Sequence, residues 1–144
     1  MIDPSTVQWL NRLLAIVSRS FPQYLRYSRP YIPPGRDNVV ETLKSIVTDQ
    51  DALAARVSQM LIDAHAPLRT GEFPMDYTDK HDLGIDFLCQ AAVAFQEQDI
   101  ASIAVLVERL QTAPAAKSLA EEALGMAKGH LDSLQELVAE TVAN

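Results

Sequence analysis

Hydrophobic positions recur along this chain in alternating steps of three and four, the spacing that lines one face of an α-helix. The first such run carries Val7, Leu10, Leu13, Leu14, Val17, Phe21, Tyr24 and Leu25. It starts near Ser5 or Thr6 after Pro4, and Pro22 inside it predicts a bend one turn earlier, because proline removes a backbone donor and crowds the preceding turn. RPYIPPGRD then ends the element. A second run opens at Asn38-Val39-Val40-Glu41, which has the form of a capping box. Its seam reads Val39, Leu43, Ile46, Gln50, Leu53, Val57 and Met60, with Gln50 the one polar member. A third helix is expected from about Thr78 or Asp79 to about Thr112, through FLCQAAVAFQEQDIASIAVLVERL. The fourth follows Pro114, with Leu119, Ala123, Met126, Ala127, His130, Leu134 and Leu137 on one side. Period-two alternation flanked by turn residues is absent, so the chain reads as an all-α, four-helix bundle spanning residues 1–144 as a single domain.

The links between helices predict the topology. The first-to-second and third-to-fourth connections are short and predict antiparallel hairpins. Between the hairpins, His65 to Thr78 supplies fourteen residues with two prolines and a glycine. Fourteen extended residues reach about 46–50 Å, more than the roughly 39 Å of a 26-residue helix. One crossover can therefore run the length of the bundle, as in ferritin-like proteins.

Residues with this spacing resemble a known family. Leu10-Asn11-Arg12-Leu13-Leu14, followed by Gln23-Tyr24-Leu25, is similar to the first helix of bacterioferritins. Gly129-His130-Leu131-Asp132, followed by Leu134, resembles their fourth. The resemblance implies a di-iron centre built from one glutamate on each of two helices and a Glu-x-x-His on each of the other two. Carried over position by position, the first-helix glutamate falls on Val17, the second-helix pair on Asp49 and Ala52, the third-helix residue on Ala94 or Glu97, and the last pair on Ala127 and His130. Only Asp49, Glu97 and His130 retain ligand chemistry, and the haem-ligating methionine position holds Gln50. The expectation is a ferritin-like protein without a functional di-metal centre, cofactor or catalytic residue, in which Val17, Ala52 and Ala127 rebuild the core. It would serve as a structural or protein-interaction module with an unknown protein partner, as a homodimer or higher homo-oligomer. Two alternatives stay open. One is an iron or manganese carboxylate oxidoreductase using Asp49, Glu97 and His130, with Glu121 or Glu122 recruited. The other is a bundle holding a small apolar ligand in the space beside Ala52, Ala91, Ala94 and Ala127.

Charge and composition narrow the classes further. The net charge of −7 is uneven: residues 1–72 carry eight Lys or Arg against seven acids, residues 73–144 four against twelve. Such a balance argues against nucleic-acid binding. Arg12, Arg19 and Arg26, seven apart, are expected to pair with acids of a neighbouring helix. The single Cys89 lies in an apolar run and reads as a buried thiol in a reducing compartment. Neither a signal peptide nor a membrane span is apparent, which predicts a cytoplasmic protein. A lone histidine on an apolar face is expected to be a hydrogen-bonded core residue, with Tyr24 a candidate partner for His130 or Asp49. Asp49 itself is expected to be solvated or paired with an arginine. His81 among Asp76, Asp79 and Asp82 reads as a helix start whose acids complement the dipole.

Overall fold

The computed structural model describes residues 2–80 and 84–143. They form six α-helices and no strand: α1 (Pro4–Ser18), α2 (Phe21–Ser28), α3 (Asp37–Asp63), α4 (Met75–Thr78), α5 (Ile85–Arg109) and α6 (Pro114–Ala143). His81 and Asp82 lie outside the described residues; Asp76 and Asp79 are exposed.

The N-terminal run is broken rather than bent. Asp3 caps α1, accepting from the Thr6 amide at 2.8 Å and the Ser5 hydroxyl at 2.7 Å, with Pro4 at the first helical turn where its missing donor costs nothing. Those bonds, the Ser5 one foremost, hold the Asp3 carboxyl below its ordinary range. After Ser18 the chain turns extended at Ser20, whose hydroxyl caps α2 by accepting from the Gln23 amide, and Pro22 occupies the first turn of the new helix. Pro22 thus sits where the rule permits it instead of kinking a longer helix.

Two other boundaries differ from expectation. The capping box at Asn38 does not form: α3 begins at Asp37 with Arg36 at the cap, and the Asn38 amide donates to Glu140 of α6. The long third helix begins at Ile85, after Gly84, and its last residue is Arg109. Tyr77 explains the shortening, because the brief α4 turns inward to bury that ring against Phe21 and Phe95.

Helix packing follows the apolar seams. α5 packs most extensively on α6, α1 on α3, and α3 also touches α6 and α2. Two apolar clusters result. One joins Leu10, Leu13, Leu14, Leu53, Val57, Leu61, Ile103, Leu106 and Leu119; the other joins Phe21, Leu25, Val39, Ile46, Leu88, Ala92, Leu134 and Leu137. Buried Cys89 belongs to the second, and burial pushes its thiol up to about 11, so it is a packing residue and not a thiolate nucleophile at neutral pH.

Segment 66–73 is laid along α1 by specific bonds. Asn11 donates to the Pro67 carbonyl at 3.0 Å and accepts from the Arg69 amide at 2.7 Å. Arg19 donates to the Gly71 carbonyl at 3.0 Å and to Thr70 at 3.2 Å, with its guanidinium 5.1 Å from the centre of the Phe73 ring. Gly71 has φ +70°, and a Cβ there would meet Ala15 only at ordinary contact distance, so conformation and not space demands the glycine. Gly71→Ala should therefore cost about 1–2 kcal/mol by urea denaturation; an unchanged midpoint would show that the turn readjusts.

The arginine series ends up divided by the break at Ser20. Arg26 of α2 bonds Asp51 at 2.9 Å, as expected of a pairing residue, while Arg19 clasps the crossing segment. Among the described residues no helix is long and apolar enough to cross a membrane.

Candidate functional site

A polar layer separates the two apolar clusters. Each long seam changes character at one level: on α3 between Ile46 and Leu53 at Gln50, on α5 between Ala92 and Ile103 at Gln96 and Asp99, and on α6 between Ala127 and Leu134 at His130. Ser20 supplies the corresponding position between α1 and α2. Ser20, Gln50, Gln96 and His130 are all buried. Groups so placed must find partners, since an unpaired buried polar atom costs about 1–3 kcal/mol.

They do. Ser20 donates to Gln50 Oε1 at 2.9 Å, and Gln96 donates to the Ala127 carbonyl at 3.0 Å. The latter bond is with an in-helix carbonyl of α6, so it ties α5 to α6 at a fixed register. His130 Nε2 lies 2.9 Å from Asp49 Oδ2, a pair that joins α6 to α3. The imidazole is about nine-tenths buried while the Asp49 side chain is half exposed. Asp49 is thus exposed, and its partner is a histidine and not an arginine; the neighbouring Arg56 bonds Glu122 across α3 and α6. That bond holds the exposed Glu122 carboxyl below its ordinary range.

Asp99 lies beside this layer and is half-buried. It takes no side-chain hydrogen bond among the described residues, and burial raises its carboxyl to about 7, an effect that the nearby Arg12 charge partly offsets. Ile16, Val17, Gln50, Gln96, Asp99 and His130 contribute to the lining of a cavity of about 20 Å³. Space of that size admits about one water molecule. His130 and Met126 also line a larger open groove between α3 and α6 that contains Asp49. The His130 side chain therefore lines both the small cavity and the open groove.

The residues proposed from the sequence are only partly brought together. Asp49 and His130 meet. Glu97 and Ala94 both face outward and are exposed, because the helix presents Gln96 and Asp99 to the interior instead. Glu121 and Glu122 are likewise exposed. Val17 and Ala127 are buried and do fill the interior, but Ala52 is exposed and adds nothing to the core. With Ala52 and Ala94 on the surface, the four alanines considered for an apolar ligand do not enclose a common cavity. Tyr24 bonds neither Asp49 nor His130: it stacks on Phe21 and meets Phe73 and Tyr77 edge-on or tilted.

A di-iron centre does not fit this donor set. Among the described residues no three His, Cys, Asp or Glu side chains come close enough to share a metal ion. Two of the glutamate positions that the resemblance implies hold Val17 and Ala127, and the Nε2 atom of His130 is engaged by Asp49. The Gln96 and Asp99 pair was legible in principle. Stepping back from Leu106 by three and four gives Ile103, Asp99, Gln96, Ala92 and Leu88, a continuous seam on which Glu97 has no place. Comparison of the chain with protein-family models, with curated proteins and with solved structures gives no match.

Proposed function

We propose that this protein is a ferritin-like four-helix bundle, in which α1 and α2 with α3, and α5 with α6, form two antiparallel hairpins joined by a long crossover, and that its polar layer replaces a di-metal centre. On this reading it acts as a homodimeric structural or protein-interaction module and not as an oxidoreductase. The observation that carries it is the engagement of the layer by its own residues: Ser20 with Gln50, Gln96 with the Ala127 carbonyl, and His130 with Asp49. Directional bonds of this kind select one register between helices that apolar packing alone would let slide.

The competing reading, an iron or manganese oxidoreductase, makes the opposite forecast in one experiment. The protein is equilibrated anaerobically with ferrous iron or manganese, desalted, analysed for metal, and exposed to oxygen. The proposal expects no stoichiometric metal and no oxygen uptake above the buffer rate, with a sedimentation profile of a dimer. One or two metals per chain, lost in a folded His130→Ala variant, would transfer the assignment to the enzyme.

A further inference from the structure

We propose that the groove between α2 and α3 is a binding site for a small amphipathic anion, an apolar chain or ring bearing a carboxylate or phosphate head. It goes beyond the module reading and does not depend on it.

The groove arises from a second apolar stripe on α3. Beside Val39, Ile46, Gln50 and Leu53 runs Val40, Leu43 and Val47, at steps of three and four, at the edge of the core: Val47 is buried, Leu43 packs on the second apolar cluster, and all three line the groove. Leu25 of α2 and Ile32 of the following segment face it, enclosing about 500 Å³. Pockets that hold small molecules are of this order, roughly 300–1,000 Å³ with mostly apolar walls and few polar groups. Twelve residues line it, whereas a stable protein interface engages roughly 20–30 on each side. The dimensions favour a small ligand over a protein.

Charge selects the head group. At the mouth, Arg26 and Asp51 neutralise each other at 2.9 Å. Arg29 and Lys44 also line the groove, and neither has an acidic partner among the described residues. Two uncompensated cations beside an apolar wall are notable on a chain of net charge −7, and they match an anionic head on an apolar body.

The backbone adds an independent sign. Arg29 ends α2 in the left-handed region, φ 49° and ψ 66°. Glycine or asparagine normally takes that position, because a Cβ there is strained. Here the strained site carries a long cationic side chain at the groove mouth, a choice that helix termination alone does not favour. Arg29→Gly should therefore relax the backbone while removing the charge, separating binding from folding.

The test uses sodium laurate, lauryl phosphate and 1-dodecanol, each below its aggregation concentration, with calorimetry and amide shift mapping on the full chain. Laurate or lauryl phosphate is expected to bind and to shift Val40, Leu43 and Val47, and the preferred one identifies the head group. Dodecanol should bind about tenfold more weakly, the scale of one charged hydrogen bond. Arg29→Gly and Lys44→Gln should each weaken the anion by a similar factor, the first with an unchanged or higher Tm, and Arg29→Lys should retain most of the affinity. Equal binding of dodecanol, shifts confined to other surfaces, absence of binding, or full affinity in Arg29→Gly would overturn the proposal. So would a dimer whose interface protects the groove amides and excludes laurate, which would assign the groove to a second copy of the chain.

Discussion

Asp99→Asn is expected to stabilise the protein at pH 8, by roughly 2–4 kcal/mol. The native carboxyl titrates at about 7, against about 3.9 in an unfolded chain. Between these values the folded state binds the proton that the unfolded state has released, so wild-type stability falls as pH rises from about 4 to about 7 and is level above. Asparagine carries no charge to desolvate and removes that slope. Since other carboxyls, such as Asp3 and Glu122, are shifted the opposite way, the informative quantity is the difference between variant and wild type. Thermal melts should show a gain of about 5–10 °C at pH 8 that vanishes near pH 4. A variant less stable than wild type at pH 8 would mean that the ionised Asp99 is held by Arg12 strongly enough to outweigh its burial.

Phe21→Ala has the other large expected effect, a loss of about 3–5 kcal/mol. Phe21 is fully buried, with ring centroids 5.0 Å from Phe95, 5.1 Å from Tyr77 and 6.2 Å from Tyr24. It is also the first residue of α2, so its anchoring holds the break after α1 and, through Tyr77, the α4 turn. Removing the ring leaves a cavity that the break cannot collapse without disturbing the Ser20 cap. Against a total of about 5–15 kcal/mol for a domain, urea unfolding should show a clear fall in midpoint. A loss under about 1 kcal/mol would show that the aromatic cluster is not part of the cooperative core.

What the amino-acid pattern could and could not reveal follows from which forces decide each feature. The α3 and α6 seams were readable because their apolar residues occupy one face and charged residues the other; Val39, Ile46, Gln50, Leu53 and Val57 are all buried as their spacing requires. α5 is apolar on more than one side, with Phe87 and Val105 exposed beside buried Leu88 and Leu106. Its phase was therefore ambiguous, and Glu97 was preferred where Gln96 and Asp99 face inward. The break at Ser20 had a local signal, Ser-x-x-Gln before a proline-led turn. Asn38 with Glu41 has the same form, yet an ion pair between Arg36 and Asp86 and the bond from Asn38 to Glu140 draw those side chains elsewhere. The pairing of Asp49 with His130 spans 81 positions. It depends on the register of α3 against α6, which no local pattern encodes.

The central claim is that His130 is a hydrogen-bonded member of a register-setting layer, with Nε2 committed to Asp49. Nitrogen-15 NMR of the imidazole, followed as zinc is added to one and then two equivalents per chain, tests it most directly. The account predicts that both ring nitrogens keep their shifts and that Asp49→Asn alone perturbs Nε2. A stoichiometric shift of a ring nitrogen on adding metal, with the rest of the spectrum intact, would contradict it.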